Sequence, residues 1–455
     1  MSKSAGFKNS IILKMVAIAF LVLVLLIPTT MIGGLISERE QRRDDAIQEV
    51  GDKWGGSQTL AGPILTIPYK KIVGVATEKG QPPKTVEEIH YAHFMPEKLA
   101  VKGKIDPQIL RRGIYKIIVY NSQLQFSGQF LPPDFKNLNI NDQDVIWSDA
   151  ILSFGISDLR GIKENIKINW DKKVLNPNSG LNNLDLPGDN SYIQTGVNTK
   201  VFLSSTTTLG KVYPFSFDLN LNGNKELYFL PVGNETAVDL VSGWNNPSFD
   251  GAFLPDSREV NQNGFKAAWK VLQLNRSFSS SWTSESSNNL SNSAFGVKLL
   301  FPVDEYQKNM RSIKYAILVI ALTFLIFFFI EVMNKIRIHP IQYILVGLAL
   351  VLFFSLLLSL SEYLNFNLAY LLASAATILM ITLYTKALFK NNKLSFLSAG
   401  FLILIYSFIF TILQLQDYSL LIGSIGLFAV LAAVMFISRK INWYEIGARD
   451  ISDKK

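Results

Sequence analysis

Four polar side chains at the margins of long apolar segments are the residues best placed to do chemistry. They are Glu331, His339, Gln342 and Glu362. A titratable group in a lipid environment is costly, so it is a functional candidate by default, as a proton relay, a metal ligand or an acid–base catalyst. Glu331 and His339 could meet across the turn between two helices, with Gln342 one turn further on.

The spacing of these residues argues against one shared centre. Glu362 lies 23 residues beyond His339, and on one helix that distance is about 35 Å. We therefore expect Glu331 to be interfacial, reaching toward Lys335 and Arg337, and His339 to cap the helix that follows it. An intramembrane enzyme that uses Glu331 and His339 is the alternative.

The sequence offers little else for catalysis. His90 and His93 lie near two glutamates, but a spacing of three in a strand puts their rings on opposite faces. There is no cysteine, so we expect no zinc site and no disulfide. The G-x-S-x-G, P-loop and G-x-G-x-x-G motifs are all missing from the sequence. We predict a protein with no catalytic residues, no cofactor and no metal ion.

Aromatic residues form a second group of candidates. Trp244, Phe249 and Phe253 lie close together in the chain, and Trp269 follows them. Aromatic rings are common in binding patches, but they also dominate the burial of protein cores. We favour core packing for these rings, and Trp244, Phe249 and Phe253 are the candidate binding surface if they are not core.

The elements that position these residues come from two environments. A membrane-spanning helix needs about 20 mainly apolar residues. Six segments meet that length, and the first reads as an uncleaved anchor. They run over about 12–34, 313–333, 341–361, 367–388, 395–414 and 418–438. The resulting domains are 1–36 (cytoplasmic N-terminus and first helix), 37–312 (extracytoplasmic domain), 313–438 (five-helix bundle) and 439–455 (cytoplasmic tail).

The long segment between the first two spans has the period of β-strands. Residues 215–221 alternate apolar and polar side chains, and 225–230 follow after an Asn-Gly-Asn turn, which predicts a hairpin. Separate strands are expected at 114–120 and 123–130. The pattern indicates a large antiparallel, sandwich-like β domain. A capping-box pattern at Ser37 predicts a separate short helix over about 38–50.

Basic residues predict the orientation, because they favour the cytoplasmic side of a membrane. Those at one set of helix ends are Lys3, Lys8, Lys14, Lys335, Arg337, Lys386, Lys390, Lys393, Arg439 and Lys440. The short loops at the other ends carry Glu362 and Asp417. Both termini are therefore expected in the cytoplasm and the large domain in the periplasm, although Arg39, Arg42 and Arg43 run against this trend. Topology explains the net charge of +8, so no nucleic-acid partner is predicted.

Several sequence strings occur together over about residues 35–390. They are Trp54-Gly55, Gln58-Thr-Leu-Ala-Gly-Pro-Ile-Leu-Thr-Ile-Pro68, Arg112-Gly-Ile-Tyr115, Asp158-Leu-Arg-Gly161, Ser242-Gly-Trp-Asn-Asn-Pro-Ser-Phe-Asp-Gly251, Gly264-Phe-Lys-Ala-Ala-Trp269, Asp304-Glu-Tyr306, Arg311-Ser-Ile-Lys-Tyr315, Ile338-His-Pro-Ile-Gln-Tyr-Ile-Leu-Val-Gly347 and Leu360-Ser-Glu362. With these strings the chain resembles the CreD family of bacterial inner-membrane proteins. The resemblance implies a role in cell-envelope integrity and the envelope-stress response, and it implies no established reaction.

The sequence thus predicts a non-enzymatic factor of the bacterial inner membrane. Its outer β domain would bind an envelope protein or a cell-wall component, and its helices would lie in the lipid bilayer. A transporter or lipid-handling protein is the alternative from another class. The scarcity of charged residues at mid-membrane depth weighs against an ion-coupled carrier.

Overall fold

The computed structural model describes residues 11–75, 84–181, 184, 193–203, 210–284, 290–301, 305–334, 336–415 and 418–439. The chain forms two compact units. The β unit is Asp44–Pro302, and the membrane unit is Met1–Arg43 together with Val303–Lys455. Of the residues that predict the orientation, Lys3, Lys8, Lys335, Asp417 and Lys440 lie outside the described residues.

Seven α-helices occur in the described part of the chain. They are α1 (Ile11–Trp54), α2 (Glu305–Lys314), α3 (Ala316–Asn334), α4 (Pro340–Ser361), α5 (Phe366–Phe389), α6 (Asn392–Gln414) and α7 (Ser419–Ser438). All except α2 are long and apolar enough to cross a membrane, which confirms the predicted set of six spans. Helices suit lipid because each satisfies its own backbone hydrogen bonds.

The first helix does not break where the sequence suggested. Ser37 lies inside α1, and the helix continues without interruption to Trp54. The expectation of a separate helix over 38–50 was therefore wrong. A capping box needs a residue with non-helical backbone before the helix starts, whereas here the glutamate and arginine side chains support a continuous helix. Arg42 donates to Glu38 at 2.6 Å, an i,i+4 pair of the kind that stabilises helix interiors.

The membrane unit packs around α3, α4, α5 and α6, with α1 added along one side. Leu25, Phe324, Leu350 and Phe353 belong to its buried apolar cluster. Gly347 matters for this packing because a Cβ atom there would collide with the side chain of Leu25. Small residues of this kind let helices approach closely in lipid, where apolar burial alone gives little driving force.

The β unit is built from 17 strands in its described residues. They are β1 (Gln58–Val75), β2 (Lys84–Phe94), β3 (Lys98–Arg112), β4 (Tyr115–Phe130), β5 (Ile151–Ile156), β6 (Ile168–Trp170), β7 (Lys173–Leu175), β8 (Asn178–Ser179), β9 (Gly196–Lys200), β10 (Tyr213–Asn224), β11 (Glu226–Phe229), β12 (Glu235–Ser242), β13 (Pro247–Gly251), β14 (Ser257–Asn261), β15 (Gly264–Leu272), β16 (Ser281–Thr283) and β17 (Phe295–Leu299).

These strands form two sheets. One has the order β13-β17-β11-β1-β5-β9-β8, and β2 pairs with both β1 and β16 at its side; the other has the order β14-β15-β12-β3-β4-β10-β6-β7. Phe154 of the first sheet packs edge-on against Phe126 and Phe217 of the second sheet. The centre of its ring lies 5.0 Å from the centre of each of the other two rings. The predicted fold class, six helical spans plus a large sandwich-like β domain, is confirmed. The sheets are mixed, because β1–β11 and β3–β12 are parallel pairs.

The predicted hairpin over 215–230 was wrong. Strand β10 pairs with β4 and β6, whereas β11 pairs with β1 and β17 in the other sheet. The chain crosses between the sheets at Lys225, which has a positive φ of 49°. The alternation of side chains identifies a strand but not its partner. Similarly, the two strands expected at 114–120 and 123–130 are one strand, β4.

Candidate functional site

Glu331 stands near the end of α3, where the structure buries it, with 4% of its surface exposed. Its carboxylate accepts hydrogen bonds from the Tyr343 hydroxyl at 3.0 Å and from the backbone N–H of Ile338 at 3.1 Å. Lys14 of α1 completes an ion pair with the same carboxylate. We call Lys14, Glu331, Ile338 and Tyr343 the Glu331 cluster. Glu331 is thus directed into the bundle, and the cation that it meets among the described residues is Lys14, whereas the sequence suggested Lys335 and Arg337.

His339 caps α4, as the sequence predicted. Its Nδ1 accepts from the backbone N–H of Ile341 at 3.3 Å, and its own backbone N–H donates to Gln342 Oε1 at 2.8 Å. The two side chains form a reciprocal capping box that satisfies free N–H groups at the start of the helix. Within the described part of the turn, no hydrogen bond joins His339 to the Glu331 carboxylate. The two residues are neighbours with separate partners.

Glu362 follows α4 at its other end, and its side chain is 10% exposed. Its Oε1 accepts from the Tyr306 hydroxyl at 3.4 Å and lies 3.7 Å from Arg39 Nε. Arg39, Tyr306 and Glu362 form the Glu362 cluster. Because His339 precedes α4 and Glu362 follows it, the two lie at opposite ends of one helix. This agrees with the expectation that they cannot share a site.

Helix α2 adds polar contacts at the Glu362 end, which sequence reasoning missed. Its buried face carries Tyr306, Asn309 and Ser312. Asn309 Nδ2 donates to Ser361 Oγ at 2.7 Å, and Lys308 Nζ donates to Gln414 Oε1 at 3.3 Å. Asn309 and Ser312 on this face are polar, so the apolar periodicity that reveals an amphipathic helix is missing from the sequence here.

Two of the arginines that ran against the charge trend have partners in the membrane unit. Arg39 lies beside Glu362, and the Arg43 guanidinium lies 5.4 Å from the centre of the Tyr306 ring. A cation over an aromatic face is attracted by the ring electrons. The positive charge at this end of α1 is therefore used in contacts with the bundle itself.

The candidate binding surface in the β unit is half-buried. Trp244 Nε1 donates to the carbonyl of Leu300 at 2.9 Å. Phe249 packs between neighbouring rings, including Trp269 at 5.7 Å. Phe253 meets Phe295 edge-on at 5.9 Å. The three side chains pack against the core, and part of the surface of each remains exposed.

One edge strand of each sheet lies in the segment 247–261, which the sequence could not reveal. Strand β13 is the last strand of one sheet and β14 is the last of the other. All five residues of β14 are exposed, and Leu254 between the two strands is 67% exposed. We call Trp244, Phe253, Leu254 and strand β14 the edge patch. An open strand edge beside apolar side chains is a recurring site for adding a strand of a partner.

The junction between α1 and β1 explains two of the sequence strings. Asp158 accepts from the backbone N–H of Gly56 at 2.9 Å and from the Arg160 guanidinium at 2.8 Å. Gln58 Nε2 donates to the carbonyls of Asp158 and Asn222, each at 3.0 Å. Burial acts to raise the pKa of Asp158, but these Arg160 and backbone hydrogen bonds outweigh it and lower the pKa. Residues of the two strings thus hold the segment that joins α1 to β1.

The two histidines of β2 also have structural surroundings. His93 is buried, its Nδ1 lies 3.0 Å from Thr66 Oγ1, and burial lowers its pKa to about 4. His90 packs beside the Tyr69 ring at 5.9 Å. In the described part of the chain, no group of three or more His, Cys, Asp or Glu residues is placed to hold a metal ion.

The model of the family described as "Inner membrane protein CreD" matches residues 10–444. The inner membrane protein CreD of Escherichia coli (strain K12) is 33% identical over 443 residues, which cover 96% of this chain and 94% of the relative. The matched range contains the whole β unit and all six apolar helices.

Proposed function

Because the chain belongs to the CreD family of inner membrane proteins, we propose that it is a non-enzymatic factor that maintains envelope integrity or serves the envelope-stress response. In this proposal the β unit is periplasmic, both termini are cytoplasmic, and the bundle anchors the protein. The β unit would bind an envelope protein or a cell-wall component.

The edge patch is the observation that carries the binding proposal. Natural β proteins usually cover, shorten or charge an exposed edge to prevent unwanted pairing. Among the described residues β14 pairs only with β15, and all five of its residues are exposed. The half-buried Phe253 and the exposed Leu254 precede it in the chain, and the half-buried Trp244 follows β12 of the same sheet. Backbone hydrogen bonds along the edge would supply affinity, and the apolar side chains would supply selectivity.

The placement of charges weighs against the transporter alternative. Glu331, near the end of α3, and Glu362, which follows α4, are each paired with a cation of α1. Helices α4 and α7 carry no charged residue over their whole lengths. An ion-coupled transporter usually places ionisable groups near the membrane midplane, next to interrupted helices.

Site-specific photocrosslinking in living cells tests the binding proposal. A photoreactive residue at Leu254 or Val260 should capture a defined envelope molecule, because both side chains are exposed in the edge patch. Leu274 is the matched control: it is 95% exposed and follows the opposite end of β15. Equal capture at Leu274 and Leu254 would refute a specific surface.

A second arm connects the surface to function. The substitutions Leu254→Lys and Val260→Lys place charge on the edge patch without entering the core. Surface changes of this kind usually alter stability by less than about 0.5 kcal/mol. We expect the double variant to reach normal membrane levels, to lose the specific adduct and to fail in rescuing an envelope-stress phenotype. Full rescue would show that the patch is not the binding surface.

A further inference from the structure

Helix α1 contacts the bundle through a single stripe of side chains. The stripe consists of Lys14, Ile18, Leu21, Leu25, Thr29, Ile32, Ile36 and Arg39. Successive members are three or four residues apart, which keeps them on one face of a helix. Lys14 and Arg39 are 25 residues apart and so lie about 37 Å apart along the axis, slightly more than the hydrocarbon thickness of about 30 Å.

The two ends of the stripe are charged and its middle is apolar. Lys14 pairs with Glu331 at one end, and Arg39 pairs with Glu362 at the other. Both carboxylates are nearly buried, with side-chain exposures of 5% and 10%. Between them, Leu25 fills the space above Gly347.

An apolar stripe alone would fix the position of α1 weakly. Lipid tails are as apolar as leucine, so sliding one apolar helix along another changes little in free energy. A slip of one helical turn would carry Lys14 and Arg39 away from their carboxylates. In one direction Arg43, four residues after Arg39, would take its place beside Glu362, but Glu331 would lose its cation in either direction. An unpaired buried charge is strongly unfavourable. The charge pairs therefore distinguish one register from its neighbours.

We propose that Lys14–Glu331 and Arg39–Glu362 form a register lock that holds α1 at one depth and one rotation on the bundle. A buried polar residue specifies register in coiled coils by the same logic. Because α1 is continuous to Trp54, its depth on the bundle fixes which residues emerge at each membrane face. Glu331 and Glu362 are positioning residues in this proposal, and it holds whatever the β unit binds.

Disulfide crosslinking in membranes can measure the register directly, because the chain has no cysteine. The pair Leu25→Cys with Gly347→Cys joins two facing positions, because a Cβ atom at 347 would meet the side chain of Leu25, so it should form a disulfide readily. The pair Leu25→Cys with Leu345→Cys is the matched control, since Leu345 is 48% exposed and lies two positions from Gly347, on the other side of its helix. The control pair should crosslink poorly.

Charge reversals in the Leu25/Gly347 cysteine background test the lock. Lys14→Glu or Glu331→Lys alone should slow disulfide formation by about tenfold, because each leaves like charges facing one another in a buried site. The double reversal should restore the rate. Lys14→Gln is measured in parallel, since it removes the pair without adding repulsion, and it should give an intermediate rate.

The outcomes separate this proposal from the binding proposal. Unchanged crosslinking in Lys14→Gln and in a reversal that reaches normal membrane levels would overturn the lock. Failure of the double reversal to restore crosslinking, with normal levels, would also overturn it. Neither result depends on the edge patch, since the disulfide reports only the position of α1. Conversely, loss of photocrosslinking at Leu254 leaves the disulfide result unaffected.

Discussion

Replacing His339 by asparagine separates helix capping from proton chemistry at the start of α4. His339 Nδ1 accepts one backbone N–H, and the residue forms a capping box with Gln342. Asparagine is among the strongest N-cap residues, because its side-chain oxygen accepts the same kind of hydrogen bond. It cannot transfer protons as imidazole does. If capping is the whole role of His339, the asparagine variant should work normally.

Helix capping and acid–base catalysis predict effects of very different size when His339 is replaced. Loss of an N-cap costs about 1 kcal/mol of stability, so His339→Ala should lower the melting temperature slightly and His339→Asn should not. Loss of a general acid–base group typically costs about 10²–10⁴ in rate. An enzyme that used His339 would therefore lose nearly all activity in both variants. His339→Gln should retain function as well, with stability between those of the alanine and asparagine variants.

Complementation of an envelope-stress phenotype is the assay, with membrane protein levels and thermal unfolding in detergent measured in parallel. We expect the order wild type, His339→Asn, His339→Gln, His339→Ala in stability, with rescue in all four. Failure of His339→Asn to rescue at wild-type abundance would refute the capping argument. It would favour an intramembrane site that includes His339 and Glu331.

Four further predictions follow. Glu331→Gln should retain function and lose about 1–2 kcal/mol, because its amide oxygen can still accept from the N–H of Ile338 and its NH2 group can donate to the Tyr343 hydroxyl. Glu331→Leu should lose about 3–5 kcal/mol, because it leaves the buried N–H of Ile338 and hydroxyl of Tyr343 without an acceptor; detergent unfolding measures both. Residues 37–312 expressed alone should give a soluble, cooperatively melting β-rich domain by circular dichroism. The pKa of Asp158 is lowered in the folded state. Its contribution to the free energy of unfolding is therefore present above the unfolded pKa of about 4 and is lost as pH falls through the folded pKa. Asp158→Asn should make the free energy of unfolding depend less on pH in this acid range. Reporter proteins fused at about residues 200, 365 and 416 should report a periplasmic location, and those fused at 337, 391 and 450 a cytoplasmic one.

The parts of the fold that depend on local composition could be predicted from the sequence. The six spans follow from the length of the apolar segments, which the thickness of the bilayer sets. The helix cap at His339 was also predictable, because a cap involves residues only three positions apart. The alternation over 215–221 located β10 correctly, since side chains of a half-buried strand alternate between faces.

The parts that depend on distant partners could not be predicted. Lys14 and Glu331 are separated by 317 positions in the chain, and no local pattern connects them. The same holds for β10 and β11, which lie next to each other in sequence yet belong to different sheets. Helix α2 escaped notice because Asn309 and Ser312 are polar but buried. A sequence pattern reports the type of a side chain, whereas these outcomes depend on what that side chain meets.

The charged residues of the bundle now have a common explanation that does not require a reaction. Ionisable groups near lipid suggested catalysis or transport at first, because burial of charge is costly and needs a reason. The reason offered by the structure is helix docking: Glu331 and Glu362 each meet a cation of α1. A carboxylate that is held by a cation, a tyrosine and a backbone N–H is engaged on both oxygens. We therefore assign the proposed recognition of an envelope partner to the β unit, where Leu254 and β14 are exposed.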